Sequence, residues 1–211
     1  MIININKPAG WTSFDVVKKV RGIIKEKKVG HAGTLDPFAD GVLVLGTGPD
    51  TKKLTDITMA SKTYRAELTL GKSTDTQDRD GKISKEAVVP GLTRQTINAV
   101  LASFDGIQEQ IPPMYSAKQV NGQRLYKLAR RNKTVERAPV KITIYQISLL
   151  DYNEPVITFE VTCSKGTYVR VLGADIAVKL GTVGHLTALT RTSVGSYHIT
   201  DAMTIEELIK S

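Results

Sequence analysis

The chain has 211 residues, 41% of them hydrophobic and 24% charged, enough length and apolar content to bury a substantial core. No stretch approaches the roughly 20 consecutive apolar residues of a membrane helix, and the opening Met1 to Trp11 lacks the basic-then-apolar pattern of a secretory leader. The lone Cys163 excludes an internal disulfide, so a cytoplasmic protein is expected, and a net charge of +8 suggests a polyanionic partner.

Ile2 to Asn6 alternates as a short strand. Thr12 or Ser13 is placed to cap a helix, with Asp15 in its first turn and Val16, Val17, Val20, Ile23 and Ile24 as its apolar stripe. Gly30 to Gly41, with three glycines and a proline inside it, reads as an ordered loop. Val42 to Leu45 is a continuous apolar run, the mark of a buried strand, and Tyr64 to Leu70 alternates as another. Lys72 to Gly81 reads as a polar, turn-rich loop. Thr93 to Phe104 has helical spacing, and Arg124 to Arg131 is a short basic helix candidate. Lys141 to Leu150 and Val156 to Thr162 read as strands around a turn at Asn153 to Pro155. Tyr168 to Leu180 has helical spacing, and Thr204 with Glu207 three residues later forms a capping box. Helices and strands do not alternate strictly, so the expected class is α+β, with a mixed, mainly antiparallel sheet flanked by helices.

The positive charge is unevenly spread. From Pro112 to Lys141 there are eight cations, among them Lys118, Arg124, Lys127, Arg130 and Arg131, against the single Glu136, a net +7. The segment Gly30-His31-Ala-Gly33-Thr-Leu-Asp36-Pro37-Phe-Ala-Asp40-Gly41 carries the chemistry. Asp36 is biased away from helical angles by Pro37, whose own φ is fixed, and Gly33 and Gly41 permit close backbone approach. A carboxylate on so stiff a loop suits a nucleophile or general base; Asp-Pro is equally an ordinary turn former. Asp36 with Asp40 also admits a glycosidase-like carboxylate pair, although Pro37 argues against the helix that such a pair would need.

Other segments supply what a carboxylate acting on RNA requires. Tyr64 begins a strand and offers a ring to stack on a base. Tyr168 and Arg170 start a helix, where the guanidinium is able to pair with a buried carboxylate. His185 to Arg191, with Leu189, adds an apolar surface. Each residue singly also fits a plain core or surface role. His31, His185, His198 and Cys163 lack metal-ligand spacing, and Gly46-Thr-Gly48 is no phosphate-binding fingerprint. A basic RNA-binding module without catalytic activity is the main competing reading.

These residues together resemble the TruB family of tRNA pseudouridine synthases, over essentially the whole chain. The marks are Asn6 to Ser13, Gly30 to Gly41, Lys62 to Tyr64, Thr74 to Asp78, Ile111 to Lys118, Cys163 to Arg170 and His185 to Arg191. The resemblance implies a pseudouridine synthase fold and isomerisation of a flipped-out uridine in the TΨC loop of tRNA, position 55, without a cofactor or metal. It implies Asp36 as nucleophile, Tyr64 stacked on the target base, Arg170 paired with the carboxylate, and Tyr168 and Leu189 in the target pocket. His31 would hold the RNA loop, Asp78 would be a substrate-side acid, and Lys7 and Pro8 would support the active-site loop. The basic stretch at about 112–141 would be an RNA-gripping thumb, with Lys118, Arg124, Lys127, Arg130 and Arg131 as its RNA contacts. A single catalytic domain is expected over 1–211, without the C-terminal PUA-like domain of typical bacterial members, and working as a monomer with no obligate protein partner.

Overall fold

Thr12 starts the first helix as expected: its hydroxyl accepts from the Asp15 amide, and the Asp15 carboxylate accepts from the Thr12 amide in return, a full capping box. The computed structural model describes residues 1–120, 122–131 and 133–210. In chain order the elements are β1 (Ile2–Lys7), α1 (Ser13–Ile24), β2 (Val29–His31), β3 (Asp40–Thr47), α2 (Leu54–Met59), β4 (Lys62–Leu70), β5 (Lys72–Thr74), β6 (Ile83–Glu86), α3 (Arg94–Ala102) and β7 (Gly106–Gln110). They continue with β8 (Gln119–Val120), β9 (Gln123–Arg124), α4 (Leu125–Ala129), β10 (Val140–Asn153), β11 (Val156–Cys163), α5 (Val169–Lys179), β12 (Gly184–Val194), β13 (Tyr197–His198) and α6 (Ile205–Lys210). Contacts divide the chain into two units, Met1–Arg65 with Leu189–Ser211, and Ala66–Ala188.

In the first unit β3 is the central strand. It pairs antiparallel with β1 (Ile5 opposite Leu43) and β2 (Gly30 opposite Gly46), and parallel with the second half of β12 (Arg191 opposite Gly41). Its apolar run is continuous because both faces are covered. Leu43 and Leu45 pack with Ile3, Ile5 and the stripe Val16, Val17 and Val20 of α1, together with Ile205 and Leu208 of α6. Val42 and Val44 pack on the other face with Ala32, Leu54 and Val194.

In the second unit β11 shows the alternation expected of a sheet with one buried face: Ile157, Phe159, Val161 and Cys163 point inward. It forms a hairpin with β10, which pairs antiparallel with β7 on its other side. α3, capped by Thr93, packs against β10 and α5. The sheet is therefore mixed and mainly antiparallel, and the α+β class holds.

The structure corrects two boundaries. Lys72–Thr74 is not loop but β5, paired with β6; the ribbon is polar and mostly exposed, so no apolar alternation marks it. Gly30 and His31 belong to β2, and β3 begins at Asp40, so the loop proper spans 32–39.

Candidate active site

The loop carrying Asp36 lies within the first unit and is tied at every step. Ala32 donates its amide to the Val44 carbonyl. The carbonyls of Gly33 and Thr34 accept from the Arg191 guanidinium at 3.2 and 3.4 Å. The Ser13 hydroxyl accepts from the Leu35 amide at 2.9 Å and donates to the Leu35 carbonyl at 3.1 Å. The Asp36 carbonyl accepts from the Ala39 amide, closing a turn, and the Pro37 carbonyl accepts from the Gly10 amide at 2.7 Å. Leu35 and Phe38 are buried on either side, while Asp36 itself is half-buried. All five carbonyls from Gly33 to Pro37 thus have donors, and the carboxylate is held on a fixed backbone rather than a mobile one. No helix links Asp36 to Asp40, so the one-face carboxylate pair of a glycosidase does not form.

Two buried cations lie beneath this loop. Lys7, with no exposed surface, donates to the carbonyls of Pro8 (2.8 Å), Trp11 (2.7 Å) and Pro37 (3.4 Å). Burial lowers its ammonium to about 8, against the opposing pull of Asp40 and, more weakly, Asp36. Arg191 is 1% exposed and uses Nε on the Val42 carbonyl at 2.7 Å. Gly41, at φ +101°, admits this arrangement: a Cβ there would run into the Arg191 backbone. His31, on β2, is held below the usual histidine value by burial and then by the Arg191 charge. Tyr64 on β4 and Leu189 on β12 are both buried in this unit.

The second unit holds the other group. Arg170 is the second residue of α5 and is 2% exposed, which rules out a surface charge. Its Nη1 donates to the Thr76 carbonyl at 2.6 Å, its Nη2 to the Tyr115 carbonyl at 2.9 Å, and its Nε meets Asp78 Oδ2 at 3.5 Å. Asp78 Oδ1 in turn accepts from the Thr76 hydroxyl at 2.6 Å and the Asp80 amide at 3.1 Å. Arg170 and Asp78 therefore form a buried ion pair in which each partner is also hydrogen-bonded to its surroundings. Tyr168 sits at the N-cap position of α5 without a side-chain cap bond, and the buried Gln110 side chain brackets its backbone, accepting from its amide at 2.8 Å and donating to its carbonyl at 3.1 Å.

The basic stretch also lies in this unit. α4 buries Leu125, Leu128 and Ala129 and leaves Lys127 exposed; Arg124, Arg130 and Arg131 around it are exposed, and Lys118 is half-buried. The Arg130 guanidinium stacks 5.6 Å from the Tyr126 ring centroid. Among the described residues no three His, Cys, Asp or Glu side chains converge to hold a metal. Sequence reasoning missed Arg191, Ser13 and Gln110 as supports, although Arg191 and Ser13 sit inside quoted motifs.

Residues 21–169 match the family described as TruB family pseudouridylate synthase (N terminal domain). The tRNA pseudouridine synthase B of Clostridium kluyveri is 48% identical over 207 residues, covering 98% of this chain and 71% of that protein. That of Caldanaerobacter subterraneus subsp. tengcongensis is 47% identical over 208 residues, covering 98% and 73%. Among solved structures, a chain of a Cbf5-Nop10-Gar1 complex superposes with a TM-score of 0.79 at 27% identity, covering 99% of this chain and 53% of that one. The chain belongs to the TruB family of pseudouridylate synthases.

Proposed function

We propose that this protein converts uridine to pseudouridine in the TΨC loop of tRNA, at position 55, with Asp36 as the nucleophile. The observation that carries the reading is the backbone from Gly33 to Pro37, every carbonyl of which has a donor, the buried cations Lys7 and Arg191 among them, and which holds the Asp36 carboxylate. The relatives' name, tRNA pseudouridine synthase B, supports the substrate.

The reaction is an internal rearrangement. The N1–C1′ bond breaks, the uracil turns, C5 bonds to C1′, and the proton lost from C5 is balanced by one gained at N1. No electrons enter or leave overall, so no redox cofactor is required. Asp36 serves either by attacking C1′, with uracil leaving as its anion, or by adding to C6 of the base. In both routes the carboxylate must be ionised, and Arg170 is assigned as its counter-charge. The target base must first leave its stack, at a cost of a few kcal/mol. Stacking on Tyr64, worth about 1–3 kcal/mol per base, offsets much of this. Tyr168 and Leu189 are assigned to the base pocket, His31 to the RNA loop around it, and Asp78 to the support of Arg170. Lys118, Arg124, Lys127, Arg130 and Arg131 are assigned to the RNA backbone, as the thumb of one catalytic domain. We place the enzyme in the cytoplasm, acting as a monomer.

The deciding experiment is pseudouridine mapping of tRNA treated with wild type and Asp36→Asn. Modification at one uridine by wild type and none by the variant is expected. Normal turnover by a folded Asp36→Asn would exclude this nucleophile.

A further inference from the structure

Arg191 reaches the Asp36 loop from the far end of the sequence. It forms no ion pair among the described residues: Nε goes to the Val42 carbonyl, Nη1 to Thr34 and Nη2 to Gly33. An isolated buried cation is expensive to keep, and a purely apolar core would be cheaper to build. The guanidinium fork does here what a lysine point charge does not, spanning three fixed carbonyls at once. Two of the three belong to the residues immediately before Leu35 and Asp36. Its charge is also felt locally, opposing protonation of both His31 and Lys7.

We propose that Arg191 is a positioning residue for the reaction: it fixes the Gly33 and Thr34 carbonyls so that the Asp36 carboxylate keeps one geometry. The inference rests on the proposed synthase activity. The other charged and titratable groups around the loop in this unit are Lys7 on β1, Asp15 on α1, His31 on β2 and Asp40 at the start of β3. Arg170 adds its charge by the assignment above. Substituting Arg191 leaves these residues in place, and removing its charge eases protonation of Lys7 and His31.

The test is kcat and KM for pseudouridine formation on a TΨC stem-loop RNA, from acid to neutral pH, for wild type, Arg191→Lys and Arg191→Met, with melting temperatures. Arg191→Lys keeps the charge and loses the fork; kcat should fall about 10- to 100-fold at unchanged KM, with the acid limb of kcat/KM in place. Arg191→Met loses both, and kcat should fall at least as far, again at unchanged KM. If kcat is unchanged in folded Arg191→Lys, if the loss is confined to KM, or if only the melting temperature falls, the inference is overturned. If Arg191→Met does not fold, Ser13→Ala takes its place: it removes the neighbouring tether without changing charge, and should lower kcat with the acid limb unmoved. An unchanged kcat there counts against loop positioning. Wild type without activity on this RNA would instead sink the proposed function.

Discussion

The Ser13 hydroxyl satisfies both backbone groups of Leu35, accepting from its amide at 2.9 Å and donating to its carbonyl at 3.1 Å. One small side chain at the start of α1 thus stitches the helix to the residue before Asp36. Ser13→Ala would leave a buried amide and carbonyl unpaired, and a loss of roughly 1–3 kcal/mol in unfolding free energy is expected, measured by urea denaturation. A change under a few tenths would mean that the loop relaxes to find other partners.

Gly41→Ala is expected to be more severe than a surface alanine. It meets positive φ and the Arg191 backbone together. β3 and β12 must part locally, and destabilisation on the order of 2 kcal/mol or more is expected, with activity lost alongside. Thermal melting and turnover checked on one preparation separate this from a simple helix or strand propensity effect.

Lys7 gives a pH signature. Its ammonium titrates near 8 in the folded chain and near 10.5 when free. Between those values the unfolded chain holds the proton and the folded chain does not, so this residue makes stability rise with pH across that window. In Lys7→Met the rise should be missing. Equal slopes for the two proteins in denaturant titrations through that range would show that Lys7 is not the source.

Replacing Lys127, Arg130 and Arg131 together with Ala is expected to weaken tRNA binding and to reduce the dependence of log K on log salt by up to about 3, if each cation contacts one phosphate. Measured binding with an unaltered slope would remove α4 from the RNA footprint.

Activity should persist after dialysis against EDTA, since the rearrangement needs no Lewis acid in the form proposed. Loss that zinc or magnesium restores would require a different mechanism.

Much of the fold was legible locally. The cap at Thr12, the stripe of α1, the apolar run of β3 and the alternation of β11 each follow from near neighbours in sequence. What stayed hidden depends on distant partners. β5 and β6 hold each other by backbone pairing and carry exposed polar residues, so nothing periodic announces them. Asp36 stood out because Pro37, Gly33 and Gly41 flank it. Arg191 did not, because a guanidinium buried among carbonyls and one waving in solvent are spelled alike. Arg170 shows the same limit: its position at a helix start was readable, but its bonds to Thr76, Asp78 and Tyr115 were not.

The pairing of Arg191 with Gly41 joins segments separated by most of the chain. Until β12 has been synthesised and laid beside β3, the Gly33 and Thr34 carbonyls lack their donors. A growing chain on the ribosome, or one cut short before residue 191, therefore leaves those two carbonyls untethered, while the ties from Ser13, Gly10 and Ala39 to the same loop are already encoded. The loop's remaining two bonds form only when β12 arrives.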